Sequence, residues 1–341
     1  VSASSRDVGG AAGSLFQTTL TAHGSSGNDQ RIMINGLNLG AINVGNISNV
    51  VPNTGAAQEV QVDTAGAAAE RQTGGVVVNF LPKDGGNTFR GNVFATGATE
   101  GMQASNFTQG LADLGATASP SKFKETWDFN PGVGGPILRD KVWFYYTFRA
   151  QGAQNKTDMF YNLNEFVPSA WTYVANPTRP ALSQHGAWTD NNLRLTWQVN
   201  AKNKVAGTFS DQVKCSCANG ISSTQAPEAA LDQRNPVQRT LQAEWWSPLT
   251  SKVLVEFVAQ ARSVRFMNRD LQPTENGGSL VVTPQQYALY PTLIGVTQTN
   301  GGGIVANGLS FHGPNTTSDT NYRPAYSYRA SLSYVTGSHA F

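Results

Sequence analysis

The chain has 341 residues, 13% of them charged and 39% hydrophobic, with a net charge of +2 at pH 7. Charge is about half the usual share, and a mean hydropathy of −0.31 is that of neither a typical soluble enzyme nor a helical membrane protein. Apolar runs such as Val76–Val78 and Val142–Tyr146 fall far short of the roughly 20 residues a spanning helix needs. In place of charge stand 35 Gly with many Asn, Thr, Ser and Gln, plus 16 Phe, 10 Tyr and 7 Trp. Gly, Asn, Ser and Thr disfavour helix interiors, so the composition points to an all-β protein with long polar loops. The balanced charge gives no reason to invoke nucleic acid or an anionic membrane surface.

The chain opens at Val1 with no charged-then-apolar leader and stops at Phe341 just after a strand-like run, which reads as an internal piece of something longer. In its first 87 residues, Arg31–Asn38 predicts a short strand entering an Asn/Gly turn, and Gln58–Asp63 a second strand. Thr73–Leu81 predicts a third, continuously apolar and so buried on both faces. These belong to a compact mixed α+β unit. Asn35, Asn38, Asn43, Asn46, Asn49 and Asn53 stand between apolar residues in one stretch, and suit either the presentation of amides to a polar ligand or plain turn chemistry.

From about residue 88 the pattern changes to period two, one apolar face and one polar. Leu193, Leu195, Trp197 and Val199 alternate with Asn192, Arg194, Thr196, Gln198 and Asn200; Val253, Val255, Phe257, Ala259 and Ala261 alternate with Glu256, Gln260 and Arg262. Strands are expected near 88–97, 125–134, 142–151, 190–200, 204–212, 237–247, 252–266 and 323–336. Their connections alternate long and short. The long ones are 98–124, 152–189, 213–236 and 267–322, and the short ones are a Gly135–Lys141 turn, Ala201–Asn203 and Ser247–Ser251. A soluble sandwich or propeller also alternates, but rarely carries several structureless loops this long on one side. A transmembrane β-barrel does, with long loops outside and short periplasmic turns. In that topology Trp143, Phe144, Tyr145, Trp245 and Trp246 sit at the periplasmic rim, and Trp127, Phe209, Phe266, Tyr326 and Tyr328 at the outer one.

The only cysteines, Cys215 and Cys217, read as a loop thiol pair or a tight disulfide, since a metal site needs more ligands than this spacing supplies. There is no phosphate loop, zinc spacing or nucleophile elbow. His185 and His312 lie in separate loops away from any acid–base motif, which counts against an outer-membrane hydrolase. No catalytic residue, metal or cofactor is expected.

Three segments carry a family resemblance: Glu59–Val62 with Ala69–Arg71 and Gly74–Asn79; Leu81–Gly91; and Gly134–Ile137 with Lys141–Tyr145. Together they resemble the TonB-dependent outer-membrane receptors of the Oar-like branch, as plug signature, plug-to-barrel junction and first periplasmic hairpin. Glu70-Arg71-Gln72 replaces the aromatic-Gly step that often precedes the Gly-Gly pair. The resemblance implies the C-terminal part of an α+β plug over 1–87 and the N-terminal part of a transmembrane antiparallel barrel over 88–341. That barrel portion has about eight strands, against about 22 in a complete one. It implies energy-coupled uptake of an oligosaccharide, siderophore, peptide or protein, with outer-membrane lipid, an external ligand and a TonB complex as partners. The TonB contact would lie N-terminal to this chain. A surface adhesin or assembly protein binding through its long loops is the alternative.

The resemblance also supplies candidate sites. Asn38, Asn43 and Asn46 would stand at the plug apex as ligand contacts. Arg31 and Arg71 would meet the wall carboxylates Asp128, Glu244 and Glu256, which parity turns toward the lumen, unless both arginines are simply solvated there. Phe160, Tyr161, Trp171 and Tyr173 would either stack on a ligand or pack their own loop.

Overall fold

The computed structural model describes residues 2–3, 20–40, 50–64, 75–104, 107–115, 122–157, 159–165, 167, 169–181, 184–222, 224–270, 296–298, 308–311, 319–336 and 339–340. Two sheets organise them. The first contains β1 (Arg31–Ile34), β2 (Leu37–Asn38), β3 (Ala57–Asp63) and β4 (Val77–Pro82), in the order β2-β1-β4-β3. Asn35 and Gly36 both take positive φ (49° and 75°), the backbone that a two-residue hairpin between twisted strands requires. As its apolar run predicts, β4 is central, parallel to β1 and antiparallel to β3, with Val76, Val77 and Val78 buried. Helical structure among the described residues of this unit is limited to two 3₁₀ turns, Gly27–Asp29 and Thr54–Ala56.

The second sheet is a meander of nine strands in sequence order, every neighbour antiparallel. They are β5 (Arg90–Thr99), β6 (Lys122–Leu138), β7 (Val142–Lys156), β8 (Gln184–Asn200), β9 (Asn203–Asn219), β10 (Leu231–Pro248), β11 (Val253–Asp270), β12 (Asp319–Thr336) and β13 (His339–Ala340). It is a partial wall with β5 at one edge and β13 at the other. All eight expected strands are present, but six of them run to 17 or 18 residues and β7 to 15, where a tilted crossing needs about 10. The surplus lies mainly at the long-loop ends, as in β8 and β10, which begin six residues earlier than the alternation suggested.

The first hairpin also differs from expectation. Gly134-Gly135-Pro136 does not turn but continues β6 to Leu138, with a bulge at Pro136, which has no N–H for the ladder. Gly134 is needed there because a Cβ would occupy the space of the Tyr145 ring on β7. Reversal follows at Arg139–Lys141, with Asp140 at φ 61°.

Parity is as the alternation predicts. Phe129, Leu195, Leu241, Phe257, Tyr326 and Tyr328 stand exposed on one face, where lipid would lie. Asp128, Asn130, Arg194, Gln242, Glu244, Gln260 and Arg262 are buried on the other, against the first sheet. The plug's apolar cluster, Ile32, Leu39, Val50, Val76 and Val78, even takes in Val264 of the wall. The aromatics beside the short turns do not all take one face. Alternation splits them: Phe144 and Trp245 share the lipid face, paired with Leu195 and Phe257, whereas Trp143, Tyr145 and Trp246 pair with Thr196, Arg194 and Lys204 on the inner face.

Candidate functional site

Where the chain leaves β4 for the wall, Asp84 is held from three sides. Arg194 Nε donates at 2.6 Å, Lys204 Nζ at 2.7 Å and Thr196 Oγ1 at 2.9 Å. The same guanidinium grips Glu244 in bidentate fashion, at 2.5 and 3.1 Å, and donates to Thr208 Oγ1. Trp246 lies under both cations, 5.9 Å from Arg194 and 5.4 Å from Lys204. Two neighbours complete the latch. Trp143 Nε1 donates to Asn87 at 2.7 Å, and Lys83 lies 5.2 Å from the Tyr145 ring centroid. Gly85 passes so close to the Phe144 carbonyl that no side chain would fit.

Burial pushes the Asp84 carboxyl up, but Arg194 beside it and the hydrogen bond from Lys204 override this and hold it below its ordinary value. Asp84 therefore binds a proton less readily when docked than when released. Its stabilisation is fully present above the ordinary value of 3.8 and is lost as the pH falls through the lower docked one. Acidification to about pH 3 should accordingly loosen the plug, and Asp84→Asn should be looser at neutral pH with a flatter acid limb. Protease protection of residues 75–87 as a function of pH measures both.

Further along the lumen the grip is mostly made by amides. Asn53 caps the Thr54–Ala56 turn through Gly55 N–H, donates to Asp190 at 3.0 Å and to Thr147 at 3.3 Å, and accepts from Asn130 at 2.8 Å. Asp190, fully buried, also accepts from Ser210 at 2.7 Å. Gln212 holds Val51 in both directions, donating to its carbonyl at 2.7 Å and accepting from its N–H at 3.1 Å. Gln242 donates to Ile34 O and accepts from Asn35, Gln260 donates to Asn38 O, and Arg262 donates to Gly40 O. Wall side chains thus satisfy plug backbone groups that lipid could not.

The expected plug–wall charge pairs are found with their polarity reversed. Asp128 pairs with Arg149 at 2.6 Å, Glu244 with Arg194, and Glu256 with Arg329 at 3.9 Å, so wall arginines neutralise all three wall carboxylates. Arg31 is none of their partners among the described residues; the plug-side charge is Asp84 and the cation belongs to the wall. Asn38 lies beside the wall, but its side chain caps Gly40 N–H at 2.8 Å, which is turn chemistry. Asn43, Asn46 and Arg71 fall outside the described residues. Sequence reasoning missed Asp84, Gln212 and Gln242, and it read Asn35 and Asn53 as ligand-presenting or turn residues where the structure has them grip the wall. Period-two parity along their strands was the signal that could have found the glutamines; nothing local marks Asp84.

At the outer end three long loops merge. Short strands Phe160–Asn162 and Ala175–Pro180 pair, and the turn Pro227–Ala229 lies between them and Leu309–Phe311. Arg179 pairs with Glu165 at 2.6 Å and covers Tyr161 at 4.3 Å, while Tyr173 meets Phe311 edge-on at 6.0 Å. Burial pushes the Tyr161 hydroxyl up, and raises that of Tyr173 to about 12. It also lifts the Glu165 carboxyl in spite of Arg179. Tyr161 and Tyr173 therefore pack the loop, whereas Trp171 is 67% exposed. Cys215 and Cys217 are bonded to each other, which removes both sulfurs as thiolate ligands beside Asp232, itself paired with Arg234.

No protein-family model matches the chain. The TonB-dependent transporter Oar of Myxococcus xanthus is 36% identical over 96 residues, 27% of this chain and 9% of that protein. The outer-membrane transporter YddB of Escherichia coli superposes with a TM-score of 0.61 at 10% identity, covering 96% of this chain and 41% of its own. The siderophore receptor PirA of Acinetobacter baumannii gives 0.53 at 16% identity, covering 93% and 39%. These two share the fold, and the chain spans less than half of either.

Proposed function

We propose that the chain is the plug-to-barrel part of a TonB-dependent outer-membrane receptor that takes up its ligand by energy coupling, a reading supported by its partial likeness to the Oar transporter and by the shared fold. Residues 1–87 act as the C-terminal part of the plug and 88–341 as the first part of the barrel. The observation that carries this reading is the seating of the first sheet on the polar face of the wall through amide grips, with one charged latch at the junction. Such grips are individually worth about 1 kcal/mol, so a pull from one end can break them in sequence. A ligand enters from the outer loops, and a TonB complex acts on the plug from the periplasm through a segment N-terminal to this chain. Lipid contacts the Phe129/Leu195/Phe257 face.

Two measurements test it. The full-length protein should bind a purified periplasmic domain of TonB saturably; absence of binding would remove the energy coupling from the account. For topology, a membrane-impermeant maleimide applied to intact cells should label Trp171→Cys and spare Lys202→Cys, in a Cys215→Ser/Cys217→Ser background. Equal labelling of the two positions would sink the assignment of loops outside and turns inside.

A further inference from the structure

Most inward charges of the wall have a counter-ion: Arg149, Arg194 and Arg329 each face a carboxylate. Among the described residues, Arg262 and Arg323 do not. Arg262 is 7% exposed, spends one Nη on the Gly40 carbonyl at 3.0 Å, and keeps a buried Nε with no acceptor. Arg323 on β12 lies diagonally across from it, since Arg262 pairs with Ala325 and Val264 with Arg323. Its Nε is likewise buried without an acceptor, and its guanidinium lies 5.3 Å from the Phe266 ring. Directly opposite Arg262 on β10, the Thr240 hydroxyl is buried and unbonded, and Gln260 holds an unused carbonyl beside it. Among the described residues no carboxylate contacts either arginine.

A guanidinium does not relieve this by losing its proton, because its charge is delocalised over the whole planar group. A buried charge without a partner is costly, and the remedy used elsewhere on this wall, a facing Asp or Glu, is missing here. We infer that Arg262, Arg323 and Thr240 form an oxyanion-binding station on the inner wall, which takes a carboxylate or phosphate group of the transported ligand. The Phe266 ring lies against the Arg323 guanidinium, and the spare Nε groups offer two charge-assisted bonds, the strongest kind available to a guanidinium. Because Arg262 also holds Gly40, an anion arriving there competes with the plug for the same side chain, so occupancy and plug seating are linked. The inference rests on the reading of the lumen as a ligand route.

The test is titration of the full-length receptor in detergent, at fixed ionic strength, with citrate, tripolyphosphate and the neutral polyol sorbitol. Saturable binding of citrate or tripolyphosphate and none of sorbitol is expected; the two anions separate a carboxylate source from a phosphate one. Arg262→Gln and Arg323→Gln should each weaken anion binding at least ten-fold, while Arg239→Gln, on the lipid face, should leave it unchanged. Heat-modifiable migration reports whether each variant is folded. If Arg262→Gln fails that check, Arg323→Gln, which holds no plug group, decides. Binding of neither anion, or equal binding in wild type and Arg323→Gln (an adventitious ion only), overturns the station. TonB-domain binding in the same preparation would show the receptor reading standing without it.

Discussion

Arg194→Ala is expected to cost about 3–5 kcal/mol, the usual penalty for removing one member of a buried ion pair. Arg194 is 4% exposed, and its removal strands Glu244, whose side chain is wholly buried. Asp84 keeps Lys204 and Thr196, so the junction loosens while the wall carboxylate is the group left without a cation. The penalty belongs to that orphaned charge and not to the lost contact alone. Arg194→Met combined with Glu244→Leu should therefore be milder than Arg194→Ala by itself. Urea titration of plug protection in the full-length protein measures the ordering; a double variant as damaged as the single one would assign the loss to packing.

Asn53→Ala is expected to release the Val51–Ala57 segment at a cost of about 2–4 kcal/mol, combining a lost helix cap of about 1 with a lost bond to a charged group of about 1.5–3. One side chain serves the Gly55 N–H, Asn130, Thr147 and Asp190, so no single substitution can restore all four. Asn53→Asp should be worse than alanine, because it keeps the cap but sets a second carboxylate against buried Asp190, with no cation added. Asn53→Ser should be mildest, as serine caps well and is neutral. Hydrogen exchange of the amides of residues 50–63 reads the order Asp, Ala, Ser from fastest to slowest.

The wall was legible because its information is local. Period two fixes which of Leu195 and Arg194 faces lipid, and the long and short connections fix direction, before any contact is known. The plug's central strand was legible for a similar reason, since Val76-Val77-Val78 cannot be half exposed. Strand ends were not, because above the membrane Gln184–Thr189 gains its pairing from β7 and β9 and not from its own alternation. The rim aromatics were placed by depth alone, and the same parity rule that sorted Leu195 from Arg194 sends Trp143 and Trp246 inward. The site was least legible. Asp84 in a Lys-Asp-Gly-Gly junction looks like turn chemistry, and its partners lie 110 and 120 residues away. Likewise Asn53 resembles any loop asparagine until Asp190 and Asn130 are brought to it.

The most direct test of the account is whether the plug sits on the polar face of the wall. Asn35 Nδ2 and Gln242 Oε1 are 2.9 Å apart, whereas Leu241, next in sequence, is 54% exposed on the opposite face. Full-length receptor carrying Asn35→Cys with Gln242→Cys should cross-link in high yield with a short bifunctional thiol reagent, and Asn35→Cys with Leu241→Cys should not, in a Cys215→Ser/Cys217→Ser background. Cross-linking through position 241 in preference to 242 would contradict the seating, and with it the inner and outer faces assigned to every strand.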